Sequence, residues 1–200
     1  MRQLLLDFTR APEPTFENFV PGGNGELLQS LRAAADGRPA ERVVYVWGES
    51  GAGKSHLARA FAEAVSGRRG VRVIDGVEGL DEAAQAELFN AFVDHAFAFL
   101  LATASSAPRD LQLRRDLATR LASGLAYRIV PLTDGEKREA LAAHARTRGF
   151  ELSEDVASYL LTHARRDMGS LMSALDAIDQ YSLETRRPVT VPLLKAAIQP

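Results

Sequence analysis

The chain has 200 residues, 46% of them hydrophobic and 25% charged, with a formal net charge of −2 and no cysteine. That profile fits a globular protein with room for one sizeable core, and it excludes a disulfide scaffold or a strongly basic nucleic-acid coat. The longest apolar stretch, around Ala96 to Ala104, is too short to span a bilayer, and the N-terminus lacks a small-residue cleavage site, so a cytoplasmic protein with no membrane partner is expected.

Residues 1–10 (MRQLLLDFTR) are apolar but isolated by Ala11-Pro12-Glu13-Pro14, which cannot carry a helix through. They read either as a tail on a stiff linker or as an edge strand on the core. After Pro21-Gly22-Gly23-Asn24-Gly25, the stretch 26–35 places Leu27, Leu28, Leu31, Ala34 and Ala35 on one helical face. Residues 42–47 (RVVYVW) form a β-branched apolar run of the buried-strand type, followed by a glycine-rich turn and a helical pattern over 53–65. A second strand is expected over 71–74 and an amphipathic helix over 81–96, with Leu88, Phe89, Phe92 and Val93 as its apolar side. A third strand (97–103), a helix (111–123) and a fourth strand (127–131) complete an alternation that implies parallel βαβ units. From Thr133 the pattern is helical only, with candidate helices at 134–148, 153–164, 167–182 and 191–198. Thr133 and Ser153 are expected N-caps, and only Thr133, with Glu136 three residues on, completes a capping box. The chain thus divides into residues 1–10, an α/β part over 11–132 and an all-helical part over 133–200.

Gly48-Glu49-Ser50-Gly51-Ala52-Gly53-Lys54-Ser55 fits G-x-x-x-x-G-K-[ST] in full, between a predicted buried strand and a predicted helix. Glycines let backbone N–H groups curl around phosphate oxygens, and the helix N-terminus adds partial positive charge. Lys54 is placed to neutralise the outer phosphates and the Ser55 hydroxyl to ligate Mg2+. Asp75, after the second strand, is the candidate for the metal's water shell; its alternative is a turn residue before Gly76.

The segments VVYVWGESGAGKSHLARA, DLATRLASGLAYRIVPLTDGEK and LLTHARRDMGSLMSALDAIDQYSLETRRPVTVPLL, with PTFENFVPGGNGELL upstream, resemble the DnaA/Hda family of bacterial replication-initiation AAA+ proteins over nearly the whole chain. The resemblance is nearer to the Hda branch, because no DNA-binding domain follows the helical lid. It implies an AAA+ P-loop core with a helical lid, and an adenine nucleotide held by Gly48, Ser50, Gly51, Ala52, Gly53, Lys54, Ser55, His56 and Asp75, with Ser55 and Asp75 toward Mg2+. For His56, which matches the family's G-K-[ST]-H-L, it implies a packing or capping role. Residues 3–8 resemble the Q-L-x-L-x-[LF] peptide that docks on the replication sliding clamp, through Gln3, Leu4, Leu6 and Phe8. Arg120 falls on the family's arginine finger, which implies a guanidinium supplied in trans to nucleotide bound by DnaA; without the resemblance it reads as a surface arginine. The basic pairs Arg114-Arg115, Arg165-Arg166 and Arg186-Arg187 read as solvated faces or as contacts for DNA or an acidic partner.

The chain departs from the family pattern in four places. Asp75 lies only 21 positions after Lys54, so one strand–helix unit is missing and a narrower sheet of four strands is expected. The water-orienting carboxylate that follows the acidic Asp falls on Gly76, with Glu78 as a partial substitute. The lid's sensing arginine in M-R-x-L falls on Gly169, and the acidic sensor of the third strand on Ser105. These losses imply weak or absent turnover and favour ADP over ATP in the site. The expected function is a replication-initiation regulator that binds DNA-loaded clamp and stimulates hydrolysis of DnaA-bound ATP with Arg120. An autonomous ATPase and a non-catalytic clamp or DnaA adaptor are the alternatives. Partners are then the clamp, DnaA and, through the clamp, DNA; self-association into a homodimer stays open.

Overall fold

The computed structural model describes residues 13–198. Within them the chain forms two compact units, one over Pro14–Pro131 and one beginning at Leu132.

The first unit is built on four parallel strands, β1 (Val43–Trp47), β2 (Val71–Ile74), β3 (Phe99–Ala104) and β4 (Leu125–Arg128), in the order β2-β3-β1-β4. Period-two alternation decides which side chains meet which helices. Val44, Val46, Phe99 and Leu101 point to one face, where α1 (Gly25–Ala35) and α2 (Lys54–Ala64) cover them with Leu28, Leu31, Leu57 and Phe61. Val43, Tyr45, Leu100 and Ala102 point to the other, under α3 (Glu82–Val93) and α4 (Arg115–Ala122). Two apolar layers therefore sandwich a sheet buried on both sides, which explains why β1 and β3 read as continuous apolar runs. The sheet has the four strands expected, and β2 forms its edge, paired on one side with β3.

Three sequence expectations change. The helix anticipated over 111–123 begins only at Arg115, after a 3-10 turn at Pro108–Asp110. The fourth strand lies earlier than expected, because its ladder runs only as far as β1: Trp47 pairs with Arg128, and Ile129 N–H makes the last bond to Trp47 O at 2.8 Å before Gly48 leaves the sheet. On α3 the core-facing residues are Leu88, Ala91 and Phe92; Val93 is 49% exposed and Phe89 half-buried.

The second unit packs α5 (Asp134–Thr147), α6 (Glu154–His163), α7 (Met168–Thr185) and α8 (Val191–Ile198) around Leu141, Leu160, Leu171, Leu175 and Leu193. Thr133 and Glu136 make the reciprocal capping box at the start of α5, while Ser153 caps α6 on one side only. Among the described residues, no helix is long and apolar enough to cross a membrane.

Candidate functional site

The predicted site residues follow the C-terminal ends of two parallel strands, Gly48 to Ser55 after β1 and Asp75 after β2. β1 ends at Trp47; Gly48 turns the chain, and α2 starts at Lys54 with Gly53 as its N-cap at φ 103°. A side chain at Gly48 is excluded by crowding, since a Cβ there would come within 2.7 Å of Ile129 O and 2.9 Å of its Cγ2. The Lys54 ammonium curls back over the loop, donating to Gly48 O at 2.7 Å and Glu49 O at 2.8 Å. Ser50, Gly51 and Ala52 form the loop between, and Ser55 is exposed on the first turn of α2. A glycine-walled loop ending in the free N–H groups of an 11-residue helix, with a cation folded over it, fits an anionic phosphate chain.

The N-terminal segment closes one flank of this loop. Phe16 and Phe19 are buried, and the Phe19 ring lies 5.5 Å from the ring of His56. His56 Nε2 donates to Thr15 O at 3.0 Å, and burial holds its imidazole below the ordinary value against the smaller opposing effect of that bond. This geometry is a packing and tethering one. Asn24, 5% exposed, clips the segment to the end of β4: its amide donates to Val130 O at 2.8 Å and Pro21 O at 3.0 Å, and its carbonyl accepts from Val130 N at 2.7 Å.

Asp75 stands beside the loop-bearing strands in a small relay that sequence reasoning missed. Thr103, only 1% exposed, donates its hydroxyl proton to Asp75 Oδ1 at 2.7 Å and accepts from Gly76 N at 2.9 Å. The available signal was a lone hydroxyl inside the buried run FLLATA. Glu78, the considered substitute for the missing carboxylate, accepts from Ser105 N at 2.8 Å. Nearby, Tyr45 donates to Ser106 O at 2.8 Å, and burial, with the Glu78 charge adding to it, pushes its hydroxyl well above the ordinary range.

Arg120 lies elsewhere, exposed on α4, with its guanidinium 5.5 Å from the Phe89 ring. The two arginines near Gly169 are both engaged within the helical unit. Arg166 pairs with Asp134, at 2.7 Å to Oδ2, and Arg165 approaches Asp167 at 3.4 Å. Gln3, Leu4, Leu6 and Phe8 lie outside the described residues.

Residues 134–198 match the family model described as the Hda lid domain. The solved structure of domain III of the Thermotoga maritima replication initiation protein DnaA is similar over 94% of this chain and 96% of its own, at 19% identity and a TM-score of 0.73. AMPPCP-bound DnaA from Aquifex aeolicus is similar over 86% of this chain and 67% of its own, at 18% identity and a TM-score of 0.69. The C-terminal helices thus match the Hda lid, and the fold is that of DnaA domain III. The fold is shared more widely, since the Thermotoga maritima RuvB Holliday junction branch migration motor matches 87% of this chain and 66% of its own, at 18% identity and a TM-score of 0.64.

Proposed function

We propose that this Hda-like protein docks on the DNA-loaded sliding clamp through Gln3, Leu4, Leu6 and Phe8 and stimulates hydrolysis of DnaA-bound ATP by presenting Arg120 in trans. The observation that carries the reading is the state of Arg120: exposed on α4, with no carboxylate paired to it among the described residues. Its N–H fork is therefore open to an anion. A planar, permanently charged guanidinium stabilises charge spread over the transferring phosphoryl oxygens, and a finger supplied in trans raises hydrolysis by about 10³- to 10⁵-fold.

The protein's own loop is read as an adenine-nucleotide site, ADP rather than ATP, as the AMPPCP-bound relative encourages for the nucleotide class. Gly48, Ser50, Gly51, Ala52, Gly53, Lys54 and Ser55 would cradle the phosphates, and Ser55 and Asp75 would face Mg2+. The metal would supply charge neutralisation at the phosphates. Lys54 would exchange its bonds to Gly48 O and Glu49 O for phosphate oxygens.

The test loads DnaA with labelled ATP, adds clamp on DNA, and compares the wild type with Arg120→Ala and Gln3→Ala. The wild type is expected to accelerate hydrolysis, Arg120→Ala to abolish the acceleration, and Gln3→Ala to lose it unless clamp docking is bypassed. Full stimulation by Arg120→Ala overturns the finger. A self-contained ATPase is the second reading, favoured by the complete phosphate loop, and ATP turnover by the isolated chain would establish it.

A further inference from the structure

Phe89 is an aromatic residue with no place in the core. Leu88, Ala91 and Phe92 of α3 fill the apolar layer beneath the sheet, whereas Phe89 stands half-buried outside it. Two guanidinium groups from the α4 region lie against its ring, Arg114 at 5.4 Å and Arg120 at 5.5 Å from the centroid. The two are held differently. Arg114 donates to Asp116 Oδ2 at 2.7 Å, and its backbone N–H is taken by Gln85 Oε1 at 3.1 Å, so its position is fixed and its charge compensated. Arg120 has no ion pair among the described residues, and the ring is the contact that orients its side-chain cation.

We infer that Phe89 is a positioning residue for Arg120, holding the guanidinium in a set direction while leaving its charge and its N–H edges available to a partner's phosphate. This rests on the finger reading above. The chemistry favours a ring over a carboxylate for the task. A carboxylate would occupy the N–H fork and neutralise it, and would have to be displaced before any phosphoryl oxygen could bind. An aromatic face attracts the cation through its quadrupole and leaves the fork unfilled. Arg114, paired with Asp116, places a second guanidinium against the same ring and occupies that carboxylate.

Exposed cation–π contacts are modest, so removal of the ring is expected to lower the maximal stimulated hydrolysis rate by about 2- to 5-fold. In the assay with ATP-loaded DnaA and clamp on DNA, Phe89→Leu is expected to show that loss with an unchanged half-saturating concentration. Phe89→Tyr, which keeps the ring, is expected to retain the wild-type rate. Phe89→Leu placed in the Arg120→Ala chain is expected to cause no further loss, because the ring then has no finger to hold. In solution, the Arg120 δ-proton resonances of the wild type are expected upfield and to move downfield in Phe89→Leu.

A wild-type maximal rate in Phe89→Leu, with stimulation abolished in Arg120→Ala, overturns the inference and leaves the finger standing. Equal losses in the Leu and Tyr variants, or an additive loss in the double variant, overturn it in favour of a packing role. Full stimulation by Arg120→Ala removes the finger itself and the inference with it.

Discussion

Burial beside Phe19 pushes the His56 imidazole below its ordinary value of 6.5, and the bond to Thr15 O opposes this only in part. The unfolded chain therefore takes up the proton first as pH falls. The His56 contribution to stability is complete above about pH 6.5 and is lost as pH drops through that value toward the lowered folded pKa. Urea midpoints measured at pH 7.5 and pH 5.5 are expected to fall further for the wild type than for His56→Gln, which keeps a donor without a titrating ring. Parallel behaviour of the two chains would mean that water reaches the ring and burial is not the cause. Single residues of this kind were legible only as types. G-K-S-H marks His56 as special, but the bond to Thr15, 41 positions upstream, follows from the path of the N-terminal segment. The same is true of Asn24, whose amide stands in for a strand neighbour of Val130 across 106 positions.

At the scale of elements, local chemistry wrote the helix starts clearly. The α5 start shows a complete reciprocal pair: Glu136 N donates to Thr133 Oγ1 at 3.2 Å, and Thr133 N donates to Glu136 Oε2 at 2.7 Å. At α6, Ser153 Oγ accepts from Val156 N at a long 3.4 Å and no acidic N3 residue returns the bond. Thr133→Ala is accordingly expected to destabilise the chain by about 1 kcal/mol, and Ser153→Ala by about half that or less, in urea denaturation followed by circular dichroism. Equal losses would show that the returning Glu136 bond adds nothing. What the sequence hid were features fixed by neighbours across the sheet. The apolar run YRIVP suggested a strand reaching Pro131, yet a strand lasts only while its partner does, and β1 stops at the phosphate loop. The run 111–123 becomes helical only from Arg115 for a similar reason: Arg114 has its N–H bound to Gln85 of α3, a tertiary contact that sets where α4 can begin.

For the molecule as a whole, Gly76 in the sheet unit and Gly169 in the helical unit both stand where the resembled pattern carries a charged residue, and the backbone could resist restoring it equally at the two places. It does not. Gly169 lies in the first turn of α7 in ordinary helical conformation, and a Cβ there would meet Asp167 Oδ1 at 3.5 Å, a normal contact. Gly76 has φ 79° and ψ 67°, a left-handed conformation that costs an ordinary residue about 1–2 kcal/mol, although the space around it is open. Its N–H is also held by Thr103, which in turn grips Asp75, so the backbone at the end of β2 is set by a buried hydroxyl. Substituting the charged residues of the resembled pattern at these two positions should therefore give opposite results. Gly169→Arg is expected to leave stability unchanged or raise it by up to about 1 kcal/mol, since arginine outranks glycine in a helix. Gly76→Glu is expected to lower stability by about 1–2 kcal/mol through backbone strain alone. Neither variant, nor the pair, is expected to give the isolated chain steady ATP turnover, because a carboxylate carried on a left-handed residue does not follow the direction that an extended strand end would give it. Thermal unfolding and phosphate release by the three variants check this together. Turnover well above the wild type in the paired variant would mean that side chains alone limit hydrolysis, and that the Thr103 lock on Asp75 and Gly76 yields to a catalytic carboxylate.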